Sequence, residues 1–337
     1  MKPTISVIMT IHNTSQYLRE AIDSILFQTF TDFEFLIFND GSTDNSAEIV
    51  RSYNDPRILF FDEPKSQSWV SLLNKGIKLA RGKYIARMDS DDISLPHRFE
   101  KQVAFMDNNL QVGLCSAWLE TIGPNTHISK ERPIGHVAIK HQLLIANPIA
   151  HALVMIRAQV LKANNLYYNE TFLAAQDTEF WGRLIHFTKF QIIPDVLYLY
   201  RMHPQQNTTL RKKIQGVNGV ENKINYIKSW GVSLTELEEK YLRLLFNPCL
   251  HNVSSKEIRN IQMQIPEIIN KLKTKNFDSE LLIHIFNKHL QKMLLNISQY
   301  NLSYLSIFIN ISKTPAINTL DRFKLIVKSI INWKVNH

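Results

Sequence analysis

Three acids, Asp89, Asp91 and Asp92, stand directly after the apolar run Tyr84–Met88. On an extended chain, side chains two residues apart point to the same side, so Asp89 and Asp91 can converge on one cation or one polyol. Hard divalent cations such as Mg²⁺ and Mn²⁺ take oxygen ligands, and one or two carboxylates plus substrate phosphates commonly hold them. The same triplet also fits a solvated turn, with Asp92 capping the next helix. Position favours the cation, because open α/β sheets bind their ligands at the carboxyl ends of strands. A second polar turn, Asn39-Asp40-Gly41-Ser42, closes another apolar run, Phe33–Phe38.

Two later segments carry further candidates. Asp177 lies in Ala174-Ala-Gln-Asp-Thr-Glu-Phe-Trp-Gly-Arg183. A carboxylate within hydrogen-bond reach of an attacking hydroxyl is a general base; an acid at a helix start also interacts well with the helix dipole. His203, in Tyr200-Arg-Met-His203, offers an imidazole suited to Mn²⁺, or is a surface residue before a loop. Arg211, Lys212 and Lys213 follow it, either as phosphate contacts or as a solvated basic run. His151 is placed to touch a sugar hydroxyl or to pack, and Trp118 and Trp181 to stack on a sugar or to fill the core.

The elements that must position these residues alternate in type. Ile5–Ile11, Phe33–Phe38, Ile58–Phe61 and Tyr84–Met88 read as strands, and Ser15–Phe27, Ser46–Ser52, Ser68–Ala80 and Pro96–Asp107 as helices. Such alternation predicts an α/β fold, a parallel sheet with helices on both faces. Beyond about Leu210 glycine becomes rare and apolar residues recur at helical intervals, as in Leu234, Leu237, Tyr241, Leu244 and Leu245. The expected division is a catalytic domain over residues 1–215 and a helical region over 216–337.

The 337 residues carry a formal charge of +9, with 45% hydrophobic and 20% charged residues, which excludes wholesale disorder. From His251 on, twelve Lys or Arg face five acids, so most of the positive charge belongs to the tail. Within it, Thr319–His337 forms a basic amphipathic pattern. It suits an anionic bilayer surface, or packing on the catalytic domain or on a second subunit in a homodimer. Two distant cysteines, Cys115 and Cys249, support neither a disulfide framework nor a zinc site. No basic-then-apolar leader and no run of about eighteen apolar residues occurs. The expectation is a cytoplasmic protein, touching at most the inner face of a membrane.

Five strings in order resemble the GT-A glycosyltransferases of family 2. They are Ser6-Val-Ile-Met-Thr-Ile-His-Asn13, Ala21-Ile-Asp-Ser-Ile-Leu-Phe-Gln-Thr-Phe30, Phe38-Asn-Asp-Gly-Ser-Thr-Asp-Asn-Ser46, Asn74-Lys-Gly-Ile-Lys-Leu-Ala-Arg-Gly-Lys-Tyr-Ile-Ala86 and Arg87-Met-Asp-Ser-Asp-Asp-Ile-Ser-Leu-Pro96. The resemblance implies a Rossmann-like mixed sheet, a nucleotide-sugar donor and a divalent cation, Mn²⁺ or Mg²⁺. It places Asp91 on the metal and Asp89 at the ribose or the metal shell. Asp40 falls at the uracil ring, Thr10 to Asn13 along the nucleotide pocket, and Arg87 within the donor motif. Where many members carry an aromatic, this chain has His12. Asp177 matches the catalytic base, with Gln176 in place of the usual glutamate, and His203 completes the metal site. The function implied is inverting transfer from a UDP-sugar to a glycan acceptor, lipid-linked or free, in bacterial lipooligosaccharide, O-antigen or capsule synthesis. A nucleotidyltransferase fits less well, because Thr10-Ile-His-Asn13 stands where a glycine-rich phosphate loop belongs. A nucleic-acid partner is not expected, since basic and aromatic residues are not interleaved.

Overall fold

A computed structural model describes residues 2–63, 65–123, 127–128, 133–206, 210–247 and 253–296; the tail pattern Thr319–His337 lies outside them. Contacts divide the chain into two compact units, one of residues 1–142 and 147–212, the other of 143–146 and the chain from Lys213 on.

The first unit is built on a nine-stranded sheet. Its first half is the expected α/β alternation: β1 (Ile5–Ile11), α1 (Ser15–Leu26), β2 (Phe33–Asp40), α2 (Ser46–Arg51), β3 (Ile58–Glu63), α3 (Trp69–Leu79) and β4 (Tyr84–Met88). The strands lie parallel in the order β3-β2-β1-β4. Every residue of β2 and β4 is buried, and all but one of β1, as β-branched and apolar runs covered on both faces must be. On α1, Leu18, Ala21, Ile22 and Ile25 are buried, the i, i+3, i+4, i+7 stripe of a helix against a sheet.

The second half departs from a purely parallel sheet. After β5 (Ile93–Ser94) and α4 (Arg98–Asn108) come β6 (Val112–Ile122), β7 (His127–Ile128), α5 (His136–Gln142), β8 (Met155–Arg157), α6 (Ala158–Ala163), α7 (Gln176–Leu184) and β9 (Lys189–Arg201). Short β8 inserts antiparallel between β4 and β6, while β9 runs parallel to β6 and β5 antiparallel to β9. The order β3-β2-β1-β4-β8-β6-β9-β5 is thus a mixed sheet. Two reversals, β4 to β8 and β8 to β6, point β6 and β9 the same way as β1 to β4. The carboxyl ends of β4 and β9 therefore share one edge of the sheet.

One buried acid fastens the opposite edge. Glu34, the second residue of apolar β2, accepts from Ser6 Oγ (2.6 Å), Arg81 N (2.8 Å) and Arg81 Nε (2.7 Å), so its charge is paired, as burial requires. Gly82 N donates to the same Ser6 hydroxyl at 2.8 Å.

The second unit is helical over its described residues: α8 (Lys212–Ser229), α9 (Glu236–Phe246), α10 (Ser255–Lys273) and α11 (Ser279–Asn296). Capping boxes start α9 at Thr235 with Glu238 and α10 at Ser254 with Glu257, satisfying donors that a helix start leaves open. Glu238 also takes the Lys271 ammonium at 2.7 Å. The buried face of α9 is Tyr241, Leu242, Leu245 and Phe246. Leu237, expected on that face, is exposed, because Glu238 occupies the inward position as partner of Lys271. Among the described residues, no helix is long and apolar enough to cross a membrane.

A methyl group at Gly82 would stand 2.6 Å from Ser6 N and 2.8 Å from Ile5 C, both backbone atoms of β1 that cannot yield. Gly82→Ala is expected to cost about 1–3 kcal/mol, measured as a lower urea midpoint with unchanged slope.

Candidate functional site

The carboxyl ends of β1, β2 and β4 and the segment after β9 surround a cleft of about 540 Å³. Thr10, His12, Asn13, Asp40, Arg87, Asp89, Asp91 and His203 all line it. Asp177 is not among its lining residues.

The turns after β1 and β2 are stitched together. Asn13 takes the left-handed conformation (φ 51°), which asparagine tolerates better than most residues. Its Oδ1 accepts from Thr43 N at 2.7 Å and from Thr43 Oγ1 at 3.3 Å, while Asn13 N donates to Ser42 Oγ at 3.1 Å. The His12 ring nitrogen Nδ1 lies 2.8 Å from the Asp40 carbonyl. Asp40 is buried; its Oδ1 accepts from Gln67 N at 2.7 Å. These bonds fix a rigid wall from two turns, neither of which has a regular partner of its own.

At the end of β4, Asp89, Asp91 and Asp92 bring ligand oxygens within 4.8 Å of one another. Asp89 pairs with the Arg87 guanidinium, and its backbone N donates to the Tyr198 hydroxyl at 3.3 Å. Asp91 Oδ2 lies 2.9 Å from His203 Nε2, and the imidazole packs on Tyr17, 4.9 Å between centroids. Asp92 is almost fully buried and caps no helix: β5 follows it, and α4 begins only at Arg98. It accepts the backbone N–H of Arg201 at 2.8 Å. Burial, with the Asp91 charge beside it, pushes its carboxyl up to about 7. Arg201 Nε donates to the Asp91 carbonyl (2.8 Å), and its Nη2 pairs with Glu20 (2.5 Å). Two strand ends far apart in sequence are thereby locked together.

Three carboxylates with an imidazole in contact form an oxygen-rich donor set with one nitrogen. That set fits a divalent cation of the Mn²⁺ or Mg²⁺ kind better than a softer metal, and the carboxylates' mutual repulsion favours one. A cation there would be held by Asp91 and His203, with Asp89 beside it.

Asp177 opens α7 behind Ala175, which takes the left-handed conformation (φ 57°). Its Oδ2 accepts from Asn147 Nδ2 at 2.7 Å and its Oδ1 from Thr178 N at 2.8 Å. Part of the residue is accessible, yet the carboxyl loses enough hydration that its pKa rises; Arg87 acts against that rise. Nearby, His151 Nε2 and the Tyr168 hydroxyl are 2.9 Å apart. Burial and the Arg87 charge keep that imidazole well below its usual pKa, and hence neutral. Trp181 is fully buried, a core residue rather than a sugar platform. Trp69 lines the cleft instead, and Glu179 pairs with Arg183 at 2.7 Å. Arg211 lines the cleft too, its Nη1 donating to the Leu173 carbonyl at 2.7 Å.

Residues 6–170 match the model of the family described as glycosyl transferase family 2. An uncharacterized glycosyltransferase of Methanocaldococcus jannaschii is 37% identical over 222 residues, covering 64% of this chain and 76% of that protein. The chain belongs to glycosyl transferase family 2. Among solved structures, Staphylococcus aureus TarS 1-349 in complex with UDP-GlcNAc superposes with a TM-score of 0.54 at 16% identity, over 95% of this chain and 88% of that one. The mannosyltransferase PcManGT of Pyrobaculum calidifontis, in complex with GDP-Man and Mn²⁺, gives 0.53 at 14% identity, over 98% and 87%. The fold is GT-A, with helices after the catalytic sheet.

The sequence did not single out Tyr17, Trp69, Asn147, Tyr198 or Arg201. Tyr17 follows the apolar spacing of α1, and Arg201 sits inside the quoted Tyr200–His203 string; nothing in their spacing reveals a contact more than a hundred residues away.

Asn13→Ala removes the acceptor of the Thr43 bonds and places alanine at positive φ. The expected loss is about 1–2 kcal/mol, read from urea unfolding of the ligand-free protein.

Proposed function

We propose that this glycosyltransferase moves a sugar from a UDP-sugar to a hydroxyl of a glycan acceptor, inverts the anomeric centre, and depends on a divalent cation. Surface-polysaccharide synthesis (lipooligosaccharide, O-antigen or capsule) is the setting, with hexose or N-acetylhexosamine as the sugar. The observation that carries this reading is the contact of Asp91 with His203, 112 positions apart, at 2.9 Å in a cleft that Asp40 also lines. The donors named with TarS and PcManGT, UDP-GlcNAc and GDP-Man, support a nucleotide diphosphate-sugar; the match of Asp40 to the family's uracil-binding acid favours UDP.

Asp40, Thr10, His12 and Asn13 form the nucleotide wall, and Asp89 with Arg87 faces the ribose side. Asp91 and His203 would hold a Mn²⁺ or Mg²⁺ ion, which when bound would supply Lewis-acid stabilisation of the diphosphate. Asp177 takes the proton from the acceptor hydroxyl as that oxygen attacks the anomeric carbon from the face opposite UDP. The carbon–oxygen bond to UDP breaks as the new glycosidic bond forms, so an α-linked donor gives a β-linkage. The Asn147 amide aims the Asp177 carboxylate; burial raises its pKa, and the hydrogen bonds from Thr178 and then the Arg87 charge oppose that rise.

A UDP-release assay over a panel of nucleotide sugars, with Mn²⁺ and with EDTA, tests this directly; release that EDTA leaves untouched would overturn the metal dependence. Asp177→Asn should lower kcat by about 10²–10⁴-fold while UDP binds as before, whereas Asp91→Asn should weaken UDP binding in Mn²⁺ and leave nothing for EDTA to remove. Asp177 acts only as the carboxylate, and burial raises its pKa above the ordinary value of 3.8. The rate should therefore fall with decreasing pH at a point above the ordinary carboxylate range. An enzyme still fully active at about pH 4 would exclude Asp177 as the base.

A further inference from the structure

Arg98, the first residue of α4, is completely buried, and among the described residues it forms no ion pair. A buried guanidinium without a carboxylate is expensive unless its donors are otherwise used. Here its Nη2 donates to the Arg87 carbonyl at 2.8 Å and lies 3.4 Å from the Val154 carbonyl. Its Nε donates to Gln102 Oε1 at 3.1 Å. Gln102 in turn donates from Nε2 to the Leu153 carbonyl at 2.9 Å. The guanidinium also lies over the Tyr198 ring, 5.4 Å from its centroid, and the Tyr198 hydroxyl accepts the Asp89 N–H.

These contacts join two places that the transfer needs in register. Arg87 is two residues before Asp89 and four before Asp91, at the end of β4. Leu153 and Val154 lie two and three residues after His151 and lead into β8. Lysine could not make this bridge, because an ammonium lacks the planar fork that reaches several acceptors at once. A plain apolar side chain would fill the space and leave the Arg87 carbonyl unpaired.

We propose that Arg98, with Gln102, is a positioning residue: it clamps the exit of β4 to the His151 segment and so sets Asp89 and Asp91 in the geometry that binds a cation together with a nucleotide diphosphate. The proposal rests on the donor site described above. Arg98 touches neither substrate nor cation.

The test is UDP binding to the full-length protein by calorimetry at a series of Mn²⁺ concentrations, for wild type, Arg98→Lys, Arg98→Met and Gln102→Met. Val50→Ala, a core change on α2, serves as the control for lost stability alone. The Mn²⁺ concentration giving half-maximal UDP affinity should rise at least fivefold in the Arg98 variants and by a smaller factor in Gln102→Met. Val50→Ala should leave it unchanged while lowering the melting temperature. Should neither Arg98 variant fold, Gln102→Met alone decides. Variants that melt earlier but keep the wild-type Mn²⁺ dependence would make Arg98 merely structural and overturn the proposal; so would tighter Mn²⁺ dependence, since a cation acting only by repulsion would give that. If wild type itself binds UDP independently of Mn²⁺, the donor-site reading fails and not the clamp alone.

Discussion

Three carboxylates crowded at one strand end are the constraint around which the first unit is organised. Two like charges within 4.8 Å of each other repel by about 3 kcal/mol or more in the effective medium of a protein interior, and here three acids stand that close. The surroundings answer with donors. Arg87 pairs with Asp89, His203 meets Asp91, and the backbone N–H of Arg201 is given to Asp92. Burial first, and the Asp91 charge second, push the Asp92 carboxyl up to about 7. The crowding of the three acids is the physical basis of the metal dependence proposed.

The sheet exists in its mixed form because that constraint spans two distant strands. The parallel half, β3-β2-β1-β4, delivers Asp40 and the acidic triplet to one edge. A further parallel strand beside β4 would have delivered only its own end. Short β8 instead reverses the pairing twice, so that β6 and β9 rejoin the common direction and β9 presents Arg201 and His203 opposite Asp91. The register of β6 on β9 shifts near Trp118, and bulges of this kind re-aim the residues beyond them.

Much of the parallel half was legible in the sequence for a plain reason. Its strands are buried on both faces, so they appear as unbroken apolar runs; β1 and β4 have the bounds that their composition implies. Beyond β4 no strand was read: β5, β7 and β8 span only two or three residues each and carry no period, and the longer β6 and β9 were missed as well. The site divides the same way. Asp40 and Asp89 could be placed from strand ends alone, but the meeting of Asp91 with His203 depends on pairings across the whole sheet. Asp92 was ambiguous because capping and burial use the same side chain; only the two-residue β5 after it, unreadable as a strand, removes it from a cap. Trp181, left open between sugar platform and core, is buried, while Trp69, to which no role was given, lines the cleft: side-chain size announces burial, not which tryptophan faces a cleft.

Arg87 links the two halves of the proposed chemistry. It lies within buried β4, where an unpaired charge would be costly, and among the described residues it pairs with Asp89. Its field still reaches Asp177, which it helps to ionise, and His151, which it keeps neutral. One buried cation thus pushes both pKa values down, because protonation beside positive charge is disfavoured for either group; the carboxylate is left charged by that and the imidazole uncharged. Asp177 need not share the donor cleft to be affected by it. Asp177, the base proposed above, is thereby coupled to Asp89 through the charge of Arg87, with no contact required.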